Sequence, residues 1–300
     1  MMTTSQPLVS VVVTTKNEAR NIRLCLDSIR RQTWTNIEMI VVDNASTDET
    51  KVIATEFTEL VFDKGPERSA QRNYGLLEVA HGEFGMFIDA DMVLSPTTIE
   101  TCVDVVVKTG AVAVHVDEIV LGRGALAAVR RFERSFYSGT IVDGVRFFRI
   151  SNFREVGGFD ESLPPGPEDW DLDKKFKLIG KLALVRTGRS VETWGLDDFV
   201  GQRGAQRQPD YAGLFHNEDE QSIRAYLRKK AYYSPSMDSY VNKWKGDPDV
   251  ARQLGFRYRY FGVFMEHGRW RSVLRHPLRF AGVFCIRVAV GAVFLVSSRT

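Results

Sequence analysis

Cysteine is scarce in this chain, and net charge is nearly absent. The three cysteines lie far apart, with no CxxC pair and no cluster with histidine, which argues against a zinc site or a disulfide framework and fits a reducing compartment; they are Cys25, Cys102 and Cys285. The formal net charge is only +2, so nucleic acid is not expected as a partner. Residues 1–10 lack the basic and apolar segments of a signal peptide, so we expect a cytosolic catalytic part.

The composition is that of a folded protein. Of the 300 residues, 44% are hydrophobic and 26% are charged, which is typical of a globular domain with an appendage. We expect a catalytic domain over residues 1–220 and a basic, aromatic, helical region over residues 221–300.

The first ninety residues alternate between short β-branched runs and segments with a helical period. This alternation predicts an α/β fold with a mostly parallel, twisted sheet flanked by helices. The predicted strands are Leu8–Thr14, Ile37–Val42, Glu59–Phe62 and Phe84–Ile88, and the predicted helices between them include Glu18–Arg31 and Glu67–Ala80. Ligands of such sheets bind beyond the carboxyl ends of the strands.

Polar residues follow three of these predicted strands. Thr14, Asn17 and Glu18 follow the first, Asp43 follows the second, and the triplet Asp89-Ala90-Asp91 follows the fourth. Because parallel strands end at the same edge of the sheet, we expect the three groups to form one site.

The triplet at 89–91 predicts a metal site. Phe87 and Ile88 precede it and Met92 follows it, so its two carboxylates lie in an apolar setting where they repel each other unless a cation compensates. Mg²⁺ and Mn²⁺ prefer oxygen ligands and commonly bridge a carboxylate to substrate phosphates. The alternative is a solvated loop with two unrelated acids.

Four segments together resemble the inverting family-2 glycosyltransferases of the GT-A fold. They are VSVVVTTKNE at 9–18, IVVDNASTDET at 40–50, RSAQRNYGLLEVAHGEFGMFIDAD at 68–91 and VGGFDESLPPGPEDWDL at 156–172. The resemblance covers roughly residues 8–185. The chain departs from the family at Thr15-Lys16, where an aromatic residue is usual, and the base-stacking contact is therefore open.

The resemblance implies a nucleotide-sugar donor, UDP-linked in most of the family, and residues that bind it. These are Thr14, Asn17, Glu18, Asp43, Arg68, Arg72, Asn73, Asp89 and Ala90. Asp43 would contact the base or ribose, with a loop cap as the alternative. The arginines would neutralise the diphosphate, although an exposed helical charge stays open for Arg72.

The second acidic pair, Glu168-Asp169, is implied to be catalytic. An inverting transfer needs a base for the acceptor hydroxyl, and Asp169 is the expected base, with Glu168 positioning it or the acceptor. Helix capping is the alternative for the pair. Trp170 is expected to stack on an acceptor sugar or to lie in the core. The expected ligands of Mg²⁺ or Mn²⁺ are Asp91, Asp89 directly or through water, and His216, for which an exposed loop histidine without a metal role is the alternative.

The C-terminal region suggests a membrane surface. Residues 251–280 hold seven arginines and one acid, Tyr226–Trp244 mixes basic and aromatic residues, and Phe280–Val296 is apolar except for Arg287. The apolar run is shorter than the ~20 residues that span a bilayer, so we expect a peripheral or monotopic attachment at the cytoplasmic face of the membrane. An ordinary solvated helix is the alternative for Tyr226–Trp244.

The expected function is therefore metal-dependent, inverting transfer of a sugar from a nucleotide-sugar to a hydroxyl of a lipid-linked or cell-envelope glycan. Two alternatives stay open. A sugar-phosphate nucleotidyltransferase would normally carry a glycine-rich loop after the first strand, where this chain has TTKNE without glycine. A non-catalytic nucleotide-sugar-binding protein would not need both acidic pairs.

Overall fold

A computed structural model describes residues 6–163, 165–186, 212–219, 221–233 and 236–297. Its first half confirms the predicted alternation of strands and helices. The elements are β1 (Val9–Thr15), α1 (Ile22–Arg30), β2 (Ile37–Asp43), α2 (Thr50–Thr55), β3 (Val61–Asp63), α3 (Arg68–Asn73), a π-helical continuation (Tyr74–Val79) and β4 (Phe84–Asp89).

The next stretch of the chain adds further helices and several short strands. The elements are β5 (Met92–Leu94), α4 (Thr98–Thr109), β6 (Ala113–Val116), β7 (Glu118–Leu121), α5 (Gly124–Arg134), β8 (Phe147–Arg149), α6 (Ile150–Glu155), α7 (Glu168–Ile179), β9 (Leu182–Val185) and β10 (Leu214–Asn217). Strands β5, β7, β8 and β10 were not predicted, because three or four residues are too few to display an alternating pattern.

The strands form two sheets. The larger has the order β3-β2-β1-β4-β8-β6-β9 and is parallel except at β8, which runs antiparallel to both of its neighbours. The smaller has the order β5-β10-β7. The predicted, mostly parallel sheet is therefore confirmed, and the second sheet brings β10 beside β5, directly after the 89–91 triplet.

Successive residues of β1 point into two different hydrophobic clusters. Val11 and Val13 pack with the side of the sheet that α1 and α4 cover. Val12 packs on the other side with Leu76, and α6 and α7 cover that side. Because both faces of the strand are buried, its sequence reads as an unbroken apolar run.

The C-terminal helices pack onto the sheet domain. They are α8 (Ile223–Tyr233), α9 (Ser236–Lys243), α10 (Pro248–Leu254), a π-helical turn (Tyr258–Gly262), α11 (Val263–Met265), a 3₁₀ turn (Glu266–Gly268), α12 (Trp270–Arg275) and α13 (Pro277–Ser297). A third hydrophobic cluster joins Phe132 of α5 and Phe136, just after that helix, to Phe264 and Val283, so the region after residue 220 shares a core with the region before it.

Helix α13 has 21 residues, longer than the apolar run seen in the sequence. Within the described ranges, it is the one helix that is long and apolar enough to cross a membrane by length and composition. Arg287, which interrupts the apolar run, points into the protein, where its Nε donates to Glu133 at 2.8 Å and an Nη donates to the Tyr137 hydroxyl at 3.0 Å. One face of α13 is therefore fixed to α5 by a buried ion pair.

Glu133→Gln tests this pairing. At pH 7 we expect the free energy of unfolding to fall by about 3 kcal/mol, because the buried guanidinium of Arg287 loses its counter-charge and Arg130 keeps only Glu218. Burial raises the pKa of Glu133, but the two arginines outweigh it and lower the pKa to about 2. A carboxylate with a depressed folded-state pKa stabilises above its unfolded pKa, and this contribution is lost as pH falls through the folded value.

The difference between wild type and Glu133→Gln, measured by urea unfolding, should therefore shrink from pH 4.5 toward about pH 2. The exposed Glu155 gives the control, because Glu155→Gln should change stability by less than ~0.5 kcal/mol at either pH. Equal stability of wild type and Glu133→Gln at pH 7 would contradict the pairing.

Candidate active site

Strand register brings the predicted polar groups to one edge of the sheet. Thr14 of β1 pairs with Asp89 of β4, and Thr15 pairs with Asp43 of β2. The Thr14 hydroxyl also donates to Asp89 Oδ1 at 2.9 Å. The expectation that the strand ends meet at one place is confirmed by this register.

Arg72 links this edge to the second acidic pair. Its Nη2 donates to Asp89 Oδ1 and its Nη1 donates to Asp169 Oδ1, both at 2.9 Å. The guanidinium lies over the ring of Phe87 at 4.5 Å and over the ring of Phe159 at 5.1 Å. Arg72 is 0% exposed, so the reading of it as an exposed helical charge is wrong.

The arginines keep Asp89 ionised. Burial raises its pKa, but Arg72, Arg68 and Arg146 outweigh burial, so the pKa of Asp89 lies well below its usual range. A quarter of the Asp89 side chain stays exposed toward the cleft. Asp89 is therefore a fixed negative charge at the end of β4.

Asp91 meets His216 across the small sheet. His216 Nε2 lies 3.1 Å from Asp91 Oδ2, and its Nδ1 lies 3.1 Å from Glu118 Oε1. Burial lowers the pKa of His216, but Asp91 and Glu118 outweigh it, so the pKa lies well above the usual value. A carboxylate on the far nitrogen is the usual way to orient a metal-binding imidazole.

The residues present fit a divalent cation held jointly with a substrate. Asp91 Oδ1 is buried without a hydrogen-bond partner, beside the imidazole of His216. Over the described residues, no group of three or more His, Cys, Asp or Glu side chains forms a complete protein-only metal site. Mg²⁺ and Mn²⁺ sites of few protein ligands take their remaining oxygens from phosphates and water.

Asp169 and Glu168 open helix α7 but face different surroundings. Asp169 lines the cleft, is about a quarter exposed, and has Arg146 Nη2 3.8 Å from its Oδ2. Glu168 is 1% exposed and accepts hydrogen bonds from Arg68 and from the Gly166 N–H. The expectation was that Glu168 positions Asp169 or the acceptor; in the structure its buried carboxylate binds Arg68.

Two residues expected at the nucleotide are committed elsewhere. Asp43 is 0% exposed, and its oxygens accept bonds from the Ser46 N–H and hydroxyl, which makes it the loop cap left open from the sequence. The amide of Asn73 exchanges hydrogen bonds with Phe159 and donates to Glu161 at 2.8 Å. Asn73 therefore holds the 159–161 loop and does not face the cleft.

Other predicted residues shape the edge of the site. Exposed Asn17 adopts φ 54° and accepts a bond from the Thr47 N–H at 2.8 Å, which joins the loops after β1 and β2. Glu18 accepts from the Asn21 amide at 2.7 Å, and burial raises its pKa. Ala90 is buried, and its N–H donates to the Thr14 carbonyl.

Trp170 packs in the core and also lines the cleft. Its Nε1 donates to the Val142 carbonyl at 3.2 Å, and the ring packs against the third hydrophobic cluster while lining the cleft. The ring is therefore anchored on one side and open to the cleft on the other.

The cleft has a volume of 250 Å³ and holds charges of both signs. Sequence reasoning missed Glu118 and Arg146, because each belongs to no motif; the only signal was a charge beside an apolar strand. The cleft-lining bases are Arg68, Arg130, Arg134, Arg146, Lys229, Lys230 and Arg259, and the acids are Asp89, Asp91, Glu118, Asp143, Asp169 and Glu218.

Comparison with known proteins agrees with this arrangement. Residues 10–156, which include β1 to β4 and the 89–91 triplet, match the model of glycosyl transferase family 2. Residues 10–156 place this part of the chain in glycosyltransferase family 2. Among the curated members, glycosyltransferase GlyA of Streptococcus pneumoniae is 34% identical over 243 residues, and glycosyltransferase AglE of Haloferax volcanii is 34% identical over 183 residues.

The matches cover 78% of this chain and 29% of GlyA, and 55% of this chain and 60% of AglE, so the chain spans less than two thirds of either relative. The fold is the GT-A fold of this family. The mannosyltransferase PcManGT of Pyrobaculum calidifontis, in complex with GDP-Man and Mn²⁺, aligns with a TM-score of 0.56 at 19% identity over 96% of this chain and 76% of that chain.

TarS of S. aureus, in complex with UDP-GlcNAc, aligns with a TM-score of 0.53 at 17% identity over 94% of this chain and 81% of that chain. The family-2 match accounts for the strand-end residues. It ends at residue 156, so Asp169 and His216 rest on the geometry alone.

Arg72→Lys tests the buried link in this family-2 site. Lysine keeps the charge, but one ammonium does not reproduce the fixed fork that reaches both Asp89 and Asp169. We expect a loss of about 2–4 kcal/mol in the free energy of unfolding, measured by chemical denaturation, because at least one partly buried carboxylate loses its partner. Arg154→Lys, at an exposed position of α6, is the matched control. Equal stability of the two variants would contradict the role given to Arg72.

Proposed function

We propose that this chain catalyses metal-dependent, inverting transfer of a sugar from a nucleotide-sugar to a hydroxyl of a lipid-linked or cell-envelope glycan. One observation carries the proposal: the Asp91–His216 pair and the Asp169 carboxylate line the same cleft, and Arg72 joins Asp169 to Asp89. The candidate metal ligands on the donor side and the candidate base therefore line one cleft.

The proposed donor is UDP-linked. Nucleotide-sugar binding is supported by the fold neighbours, which carry UDP-GlcNAc in TarS and GDP-Man in PcManGT. A thermal-shift screen of UDP and GDP with Mn²⁺ identifies the base, because selective binding to the folded state raises the Tm. We expect the larger shift with UDP.

The proposed ligands of Mg²⁺ or Mn²⁺ are Asp91 and His216, with Asp89 contributing through water or holding the ribose. A bound cation supplies positive charge that neutralises the leaving diphosphate. Arg68, held by the buried Glu168, faces the same cleft and adds a guanidinium that suits a diphosphate. Glu118 holds His216 and Glu168 holds Arg68 in these positions without a bound substrate.

Asp169 is the proposed general base. Its carboxylate takes the proton from the acceptor hydroxyl while that oxygen bonds to the anomeric carbon and the bond to the nucleoside diphosphate breaks. Arg72 and Arg146 hold the carboxylate in place. Trp170, adjacent to the base, offers one open ring surface to an acceptor sugar.

The C-terminal helices are the proposed membrane-facing surface at the cytoplasmic side. Large apolar side chains there are exposed, among them Phe256, Met265, Leu274 and Leu278. Arginines lie between them along residues 251–280, a combination that suits an anionic lipid surface. A lipid-linked acceptor would then reach the cleft from this surface.

Asp169→Asn tests the base assignment. We expect transfer to fall by about 10²- to 10⁴-fold, the usual contribution of a positioned base. Affinity for the donor nucleotide, measured by calorimetry, should change little, because the strand-end residues are untouched. Asp104→Asn, at an exposed position of α4, is the control.

Near-normal turnover by purified Asp169→Asn would remove the base assignment. Release of pyrophosphate from a nucleoside triphosphate and a sugar phosphate would favour a nucleotidyltransferase instead. Absence of any donor hydrolysis with metal present would favour a binding protein without catalysis.

Glu118→Gln tests the metal assignment through a residue that positions His216. Glutamine weakens the hold on Nδ1, so we expect Mn²⁺ affinity in the presence of UDP to fall about 10- to 100-fold. Electron paramagnetic resonance of free Mn²⁺ measures this without reference to activity. Glu100→Gln, at an exposed position, should leave the affinity unchanged. Unchanged affinity in Glu118→Gln would contradict the assignment.

A further inference from the structure

Two cations in the cleft have no acidic partner. Lys230 of α8 and Arg259 of the π-helical turn make no salt bridge with any described side chain, although both line the cleft. Their contacts are aromatic: the Lys230 ammonium lies 5.3 Å from the Tyr226 ring, and the Arg259 guanidinium lies 6.0 Å from the Trp170 ring. The mechanism proposed above uses neither residue.

Arg146 is a third cation that lines the cleft, and one of its N–H donors has no hydrogen-bond partner. Arg146 is 6% exposed, and its Nη1 is buried without a hydrogen-bond partner while its Nη2 faces Asp169 and Glu118. A buried guanidinium donor without an acceptor costs stability, and an acceptor supplied by a ligand in the cleft would remove that cost.

Lys230 and Arg259 line one of two cavities that share the Asp91–His216 pair. A second cavity, of 160 Å³, lies on the other side of the Asp91–His216 pair and is lined by Arg20 and Asn21 from the loop after β1. Lys229 lines both cavities, whereas Lys230 and Arg259 line only the cleft with Asp169 and Trp170.

The immediate electrostatics favour an anion. Burial, Arg130 and Arg259 lower the pKa of Lys230 to about 7. The charge of Arg130 is already compensated by Glu133 and Glu218, so Arg130 is not expected to bind the ligand. A multiply charged anion would compensate Lys230 and Arg259 together.

We propose that Lys230, Arg259 and Arg146 form a subsite for a phosphate or pyrophosphate group carried by the acceptor, next to the hydroxyl that Asp169 deprotonates. The inference rests on the proposed transferase function and narrows its acceptor class to phosphorylated glycans. A guanidinium fork and a mobile ammonium together suit the several oxygens of a phosphate. The phosphate is a binding group here, and the hydroxyl remains the nucleophile.

Phosphate binding tests the subsite directly. Inorganic phosphate is titrated into the full chain with Mg²⁺ and saturating UDP present, followed by ³¹P NMR, and wild type is compared with the double variant Lys230→Gln/Arg259→Gln. We expect phosphate affinity to fall at least tenfold in the double variant, while UDP affinity changes less than twofold. The control Arg154→Gln/Lys245→Gln removes the same two charges at exposed positions and should match wild type.

Unchanged phosphate affinity in the double variant would overturn the subsite. A matched loss of UDP affinity would also overturn it, because the cations would then serve the donor. The single variants are used if the double variant does not fold. Failure of the transferase proposal is distinguishable, since wild type would then bind phosphate but hydrolyse no nucleotide-sugar.

A competition arm separates the two sources of such an acceptor. A soluble glycosyl phosphate and a polyprenyl-linked glycosyl phosphate in phosphatidylcholine vesicles are each used to displace inorganic phosphate. Displacement by either one that is weakened by Lys230→Gln supports the subsite, and the tighter ligand identifies the source. Displacement by neither one overturns the assignment to the acceptor.

Discussion

The buried guanidinium of Arg72 is the interaction on which the rest of the site depends. It compensates Asp89 at the end of β4 and Asp169 at the start of α7, two carboxylates from separate parts of the chain. Without a cation between them, two partly buried carboxylates would repel each other. Phe87 and Phe159 enclose the guanidinium, so the hydrophobic core fixes the geometry of the charges.

Much of this site could be predicted from the sequence because the strands that carry it are long and apolar. Residues after β1, β2 and β4 had to meet once those strands were parallel neighbours, and the register brings Thr14 beside Asp89. The role of each individual residue could not be predicted in the same way. Asp43 was assigned to the ligand, whereas its burial makes it a cap for Ser46, and nothing in the pattern of one sequence distinguishes these roles.

The residues that were missed lie on short elements. Glu118 begins a four-residue strand and Arg146 precedes a three-residue one, so no period or motif announced them. Both act through contacts between distant parts of the chain, as Glu118 does with His216. The resemblance to the family predicted His216 as a ligand, but only the pairing of β10 with β5 and β7 explains how it comes to face Asp91.

The central claim is a single displacement at the anomeric carbon, with Asp169 as base and no covalent intermediate. The most direct measurement is the anomeric configuration of the product, followed by ¹H NMR at early times with the nucleotide-sugar that stabilises the chain. A single displacement gives a product whose anomeric configuration is opposite to that of the donor. A product that retains the donor configuration would contradict it, because retention requires a mechanism in which Asp169 is not simply a base.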